Sequence, residues 1–535
     1  MDDKRILHGP PIPNEVEIGT GNTPVSELIL KYAENNLDSL YMIDASSGKK
    51  LNIRTAIEES KKLAAALMSL GCKPGHRVGI ICENRNEYFI IFLATLLTGA
   101  TVILYSHLYN QSELEHTLSI TKPFLVFVNN KTSEELDKVK HKCRSYKHVV
   151  HLDATVTNAA FLNYENLVKN GQSRLSNLVQ PKIEADQTAL ILFSSGSTGL
   201  PKAVMLSNKH LLYLTNCYRY SHIVGNLPSI VTLLVLPFFH SYGFMILLSS
   251  FINGQTIISL KKFEKQMFLS AIQRYKVNSL PVVPSLMSFL ANDPLVDKYD
   301  LSSVKNIICA AAPLSVSLEG SVKSKLKLEK ILKGYTMTEM MSTCNNQSCE
   351  DKPGSIGRLF YGMSAKVVDS ETGQILGANQ VGELCFRGIF MMKGYYDDEQ
   401  GTRELIDEDG WLHSGDVGYY DKDGNLFLVD RVKDIMKYKG FQVAPAELES
   451  HLLKHEAVAD AAVVGIPDEE AGEVPKAYVV KRKEVTEKEL LDYVADNVAP
   501  YKKLRGGVTF VHQIPRNASG KILRRILRTR VDSKL

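Results

Sequence analysis

The chain has 535 residues, 44% of them hydrophobic and 23% charged, the make-up of an ordinary globular protein and not of a disordered, collagen-like or disulfide-dense one. At about 100 to 200 residues per domain, that length suits roughly three or four folding units. Lys and Arg number 63 against 59 Asp and Glu, and a net charge of +4 is too small for the footprint of a nucleic-acid or membrane-surface binder. The 8 cysteines are scattered without a C-x-x-C pair, so neither a zinc site nor a disulfide framework is indicated.

The opening residues, through Pro10 and Pro11, hold no apolar run, so no secretory signal is expected and synthesis should finish in the cytosol. A strand-like run at 78–82 and Asn84, read as a helix start, lead into an uncharged stretch from Tyr88 to Tyr105 that matches a membrane span in length. Gly99 and Ala100 interrupt it, and its periodicity changes from helical (Phe89, Phe92, Leu93, Leu96, Leu97) to a continuous strand at 102–104. It therefore reads as β-α-β, and no transmembrane segment is expected.

Alternation continues with a helix at 113–120, a strand at 124–128, a helix at 133–142 and a strand at 148–152, and further units recur at 231–236 and 304–309. This pattern predicts an α/β architecture with parallel strands. From about Ser355 the texture becomes short runs with turns, including a hairpin signal from Asp421 to Gly424, which suggests a β-rich subdomain. A boundary at Asp430 leaves 1–430 as a large amino-terminal domain and 431–535 as a small α+β domain, in which Thr486 and Glu489 have the spacing of a capping box. The chain ends Ser533-Lys534-Leu535, which reads as a peroxisomal address for an import receptor.

The strongest local signal follows the apolar strand 189–193: Ser194, Ser195, Gly196, Ser197, Thr198, Gly199, Leu200, Pro201 and Lys202. Glycines let backbone N–H groups approach an anion, hydroxyls add donors and Lys202 adds charge, the ingredients of a phosphate cradle. It is not a Walker A loop, because Leu200 and Pro201 stand before the lysine and 202–206 looks like a strand.

This loop resembles the phosphate loop of the adenylate-forming enzymes, the superfamily of acyl-CoA synthetases, 4-coumarate-CoA ligases and beetle luciferases. Further motifs of that family follow in order. Pro237 to Gly243 is similar to its aromatic/His motif, Gly334 to Glu339 to its Thr-Glu motif, and Gly410 to Asp416 to its ribose motif. Asp430 to Lys433 resembles the hinge, Lys437 to Gly440 the loop after it, and Pro515 to Lys521 the carboxyl-terminal lysine motif. The resemblance spans nearly the whole chain and implies ATP, Mg²⁺ and a small carboxylic acid as ligands, with the carboxylate attacking the α-phosphate to leave an acyl-adenylate and pyrophosphate.

The resemblance assigns roles residue by residue. Lys521 is the mobile cation of the adenylation step, and the other basic residues of the tail, including Arg524 and Arg528, read as a solvated helix face. Asp416 accepts from the ribose hydroxyls with Arg431 as an added donor, Glu339 is the metal ligand, Thr338 donates to the α-phosphate, and Gly334 and Tyr335 lie along the nucleotide. His240 gates the acyl pocket, whose other residues are Arg219, Ser241, Tyr242, Ala311, Ala312 and Ser342. Lys437 enters the site for the second half-reaction, when the small lid domain turns about Asp430.

That second step is transfer of the acyl group to coenzyme A, or oxidation of the adenylate by O₂ with light emission. Beetle luciferases have a second His before His240 and a Gly after it, where this chain has Phe239 and Ser241. Tyr242 stands for a Phe, Ala310 and Ala311 for two Gly, and Thr336 for another Gly. Added Cβ atoms crowd a flat ring. The first expectation is therefore a CoA ligase for a fatty or aryl acid, and the second a luciferase with a luciferin other than the beetle one. An inactive adenylate-binding homologue is disfavoured by the joint presence of Lys202, His240, Glu339, Asp416 and Lys521.

Overall fold

The computed structural model describes residues 5–12, 23–139, 143, 146–153, 161–195, 200–220, 229–345, 352–439, 441–468, 471–517 and 520–532. An eight-stranded sheet carries the first α/β layer, with Arg77–Ile81 at its centre, flanked in parallel by Thr101–Leu104 and Leu125–Val128. The uncharged stretch is β-α-β as expected: Arg77–Ile81, the helix Glu87–Leu97 and Thr101–Leu104. The helix has 11 residues, all buried, so its all-round apolarity marks a core helix. No helix among the described residues is long and apolar enough to cross a membrane.

Asn84 is not the start of that helix. Asn86 takes the cap position, and the Asn84 amide is used elsewhere, on the carbonyls of Leu236 and Leu260. The next helix, Gln111–Thr121, begins with a capping box from Asn110 and Glu113, and Asn130–Val139 starts a few residues before the expected position.

A second sheet holds the parallel strands Leu40–Asp44, Thr256–Ser259, Val231–Leu234, Ser279–Val282, Asn306–Cys309 and Leu332–Tyr335. The β-rich part is continuous with it. Cys344–Asn345 pairs antiparallel with Leu332–Tyr335 and passes the ladder to Ser355–Leu359, Leu426–Arg431, Leu412–Tyr420, Gly382–Gly388 and Met363–Val368. One core cluster accordingly runs from Val25 to Leu426.

Beyond the hinge a separate sheet forms from Phe441–Val443, Met436–Tyr438, Gly472–Lys481, Val458–Asp468 and Val508–Phe510. Its apolar residues, among them Met436, Leu448, Val463, Val479 and Leu490, make their own core. Thr486 and Glu489 form the expected capping box on Glu487–Asn497. The carboxyl-terminal helix Arg524–Asp532 departs from the expected solvated face. Arg524 pairs with Glu449 and Asp434 and donates to Val463 O, and Arg528 reaches Asp434 at 3.2 Å. The helix is thereby pinned to the residues just after the hinge.

Candidate active site

Asp416 is aimed by an irregular stretch of sheet. The register between Gly382–Gly388 and Leu412–Tyr420 shifts at Glu383/Cys385, and Gly415 takes φ +67, which a glycine adopts without strain. Glu383 accepts from Gly415 N at 3.0 Å, and Ser414 Oγ accepts from Asp416 N at 3.0 Å. His413 stands between Glu383 (3.0 Å) and Asp407 (3.4 Å). Glu383, Cys385 and His413 have ligand atoms within 4.8 Å of one another. Burial nevertheless pushes the Cys385 thiol up to about 12, and Glu383 is committed to Gly415 N, so the group serves as a strut beneath Asp416.

Both oxygens of Asp416 are engaged. Tyr335 O–H donates to Oδ2 at 2.7 Å, and Arg431 Nε lies 3.0 Å from Oδ1. Burial and the adjacent carboxylate push the Tyr335 phenol well above its usual range, so it remains a donor. Each carboxylate oxygen keeps a lone pair for a further donor.

The phosphate loop closes an antiparallel hairpin, in which Ser195 faces Pro201 and Ser194 faces Lys202. Gly196, Ser197, Thr198 and Gly199 lie outside the described residues, as does Gly440. Lys202 sits 3.2 Å from Asp398 and 4.7 Å above the Tyr395 ring. Tyr395 O–H in turn donates to Glu339 Oε1 at 2.8 Å. Tyr395 and Asp398 thus tie the phosphate-loop lysine to the Thr-Glu motif, a link the sequence reading missed. The strand of Tyr395, Gly394–Tyr395, is two residues long and gives no periodic signal, and Asp398 caps the short helix Glu399–Leu405 after it. Thr338 and Glu339 are both buried. A hard cation bridging phosphates takes carboxylate oxygen, so Glu339, with Oε2 left over, fits Mg²⁺.

His240 caps the helix Ser241–Ile252, its Nδ1 accepting from Tyr242 N at 3.4 Å. Burial and the Lys521 charge lower its pKa to about 4, so the ring is neutral at pH 7. With Nδ1 as acceptor, the neutral ring carries its proton on Nε2 and is a donor there. Tyr242 O–H donates to Ile308 O at 2.9 Å, which joins this helix start to the strand Asn306–Cys309 just before Ala311 and Ala312. Ala311 has φ +75, a conformation suited to glycine. Ser241 and Ser342 are buried. Arg219 is placed differently from the rest. It donates to Asn253 Oδ1 at 2.8 Å, at the far end of the helix His240 caps. Its partner Asn253 stands about 18 Å along that helix from His240, at 1.5 Å per residue.

Lys521 comes from the small domain. Its backbone N–H donates to Asn517 Oδ1 at 2.9 Å, and Arg516, paired with Asp460 at 2.9 Å, holds the Gly520 carbonyl. Gly520 lies so close to the large domain that a Cβ would stand 3.3 Å from Val283. Burial and Arg431 lower the Lys521 pKa, opposed by Asp416 and Glu339. The Lys521 ammonium is therefore within electrostatic reach of Asp416, Glu339, Arg431 and His240. Lys437 is elsewhere, 68% exposed and 3.4 Å from Glu371.

Asp430 is buried at the hinge, its Oδ1 accepting from Arg431 N and its Oδ2 from Ala446 N, both at 2.8 Å. Ala446 lies in the first turn of the helix Pro445–Lys454, so the hinge carboxylate caps a helix of the lid. Burial raises its pKa to about 6.

A family model described as AMP-binding enzyme matches residues 30–396, and one described as AMP-binding enzyme C-terminal domain matches residues 447–521. The luciferin 4-monooxygenase of Photinus pyralis is 39% identical over 540 residues, covering 98% of this chain and 97% of that protein. Probable 4-coumarate–CoA ligase 3 of Dictyostelium discoideum is 38% identical over 525 residues, covering 94% and 95%. The solved structure of the anthranilate CoA ligase AuaEII with anthranoyl-AMP superposes with a TM-score of 0.87 over 96% of this chain and 98% of that one, at 22% identity, which speaks for the fold.

Proposed function

Since the chain belongs to the AMP-binding enzyme family, we propose that it is an acid–CoA ligase, activating a fatty or aryl carboxylic acid as its adenylate and passing the acyl group to coenzyme A. The observation that carries the reading is the seating of Gly520, and with it Lys521, against Val283 of the large domain, within electrostatic reach of Asp416, Glu339, Arg431 and His240. A carboxylate approaching the α-phosphate brings two anions together, and a cation held at that point offsets their repulsion in the transition state. Tyr335 and Arg431 orient Asp416 toward the ribose, and His240 offers a neutral Nε2–H donor to the acid. Mg²⁺ would be held by Glu339 and would supply charge neutralisation at the phosphates.

For the second step, Lys437 on the lid surface suits a residue that acts only after the lid turns. Ligase over luciferase is favoured by the Cβ that Ala311 adds at a glycine-like φ, where a flat ring would need close backbone approach. The luciferase reading keeps one specific support, the 39% identity to the Photinus enzyme over nearly the whole chain. Light output from an adenylated luciferin with O₂, measured without CoA, tests it. We also place the enzyme in the peroxisome on Ser533-Lys534-Leu535, which lie outside the described residues. Loss of peroxisomal targeting when the tripeptide is removed tests that placement.

A further inference from the structure

Asn84 belongs to none of the motifs, yet its side chain spans the two α/β layers. It follows the strand Arg77–Ile81 and is 3% exposed. Its Nδ2 donates to Leu236 O at 2.9 Å and to Leu260 O at 3.1 Å, and its Oδ1 accepts from Phe238 N at 2.9 Å. Both amide protons and the carbonyl are thus spent on backbone, and two of the partners flank Pro237.

The rest of that turn is equally committed. His240 N donates to Pro237 O at 3.1 Å, and Phe244 N donates to His240 O at 2.9 Å. A Cβ on Gly243 would stand 2.1 Å from Pro237 O, so the helix carrying His240 packs directly on the turn. The Phe238 ring is fully buried and meets Tyr88 edge-on at 5.5 Å. His240 follows two residues after Phe238, and its ring is oriented by the same helix start.

We propose that Asn84 is a positioning residue for acid activation: from the first layer it fixes the 236–240 turn, and so sets where His240 presents its Nε2–H donor to the carboxylic acid. This inference rests on the reading of His240 as an acid-site residue. An amide suits the task because two carbonyls need donors and one N–H needs an acceptor. An aspartate at this point would face the carbonyls of Leu236 and Leu260 with acceptors only. An alanine would leave two carbonyls and an N–H buried without partners.

The test is a double-mutant cycle between Asn84→Ala and His240→Ala, read as adenylate formation with KM for the acid and KM for ATP measured separately. Thermal unfolding is followed on every variant, and Asn84→Ser, which keeps one short donor and acceptor, is the milder companion should Asn84→Ala fold poorly. The expected result is about a 10- to 100-fold loss in kcat/KM for the acid in Asn84→Ala, with KM for ATP unchanged and little further loss when His240 is already alanine. Asn84→Ser should fall between Asn84→Ala and the parent. Equal losses toward acid and ATP, or losses that add fully to those of His240→Ala, would overturn the positioning role. If His240→Ala alone leaves acid kinetics untouched, the reading of His240 fails first and takes the proposal with it.

Discussion

Arg431 Nε lies 3.0 Å from Asp416 Oδ1, and the two residues are direct partners across the antiparallel strands Leu412–Tyr420 and Leu426–Arg431. Asp416 and the first residue past Asp430 are therefore one unit. On the proposed reading, a nucleotide settling on Asp416 would act on the residue next to Asp430. Arg431 also lowers the Lys521 pKa by its charge, so the lid lysine, the hinge and the ribose site share one electrostatic field.

Asp416→Ala should weaken ATP use about 10- to 100-fold in kcat/KM, the range for losing hydrogen bonds to a charged group. Tyr335→Phe removes a single donor to the same carboxylate and should cost less, about 10-fold. Steady-state kinetics with ATP as the varied substrate distinguish the two. An Asp416→Ala enzyme with unaltered kcat/KM for ATP would remove this residue from the nucleotide site.

Lys521→Ala should slow adenylation by about 10²- to 10³-fold while leaving presynthesised adenylate able to react with CoA. Lys437→Ala should do the reverse, because the Lys437 ammonium is paired with Glu371 and largely exposed in this conformation. Separate assays of pyrophosphate release and of thioester formation from added adenylate check this. Equal impairment of both steps by either variant contradicts the division of labour.

Adenylation should have an alkaline limit set by Lys521. The ammonium must be protonated to offset the anions, and its pKa is lowered by burial and Arg431, so activity is lost as pH rises through a value below the usual lysine range. His240 does not impose a limit near neutrality, because its pKa of about 4 leaves it neutral. The stability sign for His240 is the opposite of a raised histidine: the unfolded chain binds the proton more readily, so its contribution is complete above the unfolded pKa and lost as pH falls toward 4. A profile of kcat/KM in the free enzyme, compared with Lys521→Arg, provides the check. The arginine enzyme, whatever its residual rate, should lack the alkaline limb.

Arg524→Ala should destabilise the lid by about 3 to 5 kcal/mol, since it leaves the buried Glu449 carboxylate without its cation, while Asp434 keeps Arg528. Limited proteolysis and thermal unfolding report it, with cleavage expected first in the lid. An unchanged unfolding temperature would mean that the Glu449 carboxylate is relieved by solvent.

How much of this was legible in the sequence depended on how far apart the partners lie along the chain. Asn110 with Glu113 and Thr486 with Glu489 are close neighbours, and both capping boxes could be read from spacing. Asp416 and Arg431 sit on either side of one hairpin, whose Asp421 to Gly424 turn signal is local. Tyr395 and Glu339, by contrast, are 56 positions apart, and Asn84 and Leu236 are 152 apart. Only the folded sheets bring such pairs together. Arg524 misled because a run of arginines on a short helix looks the same whether its partners are water or the carboxylates of another helix.

The central claim is activation of a carboxylic acid followed by transfer to CoA, and it is tested most directly by supplying a panel of fatty and aryl acids with ATP, with and without CoA, while pyrophosphate, thioester and light are recorded together. The predicted result is acid-dependent pyrophosphate release with thioester formed only when CoA is present, and no light. Light emission independent of CoA, or no pyrophosphate with any acid, would contradict it.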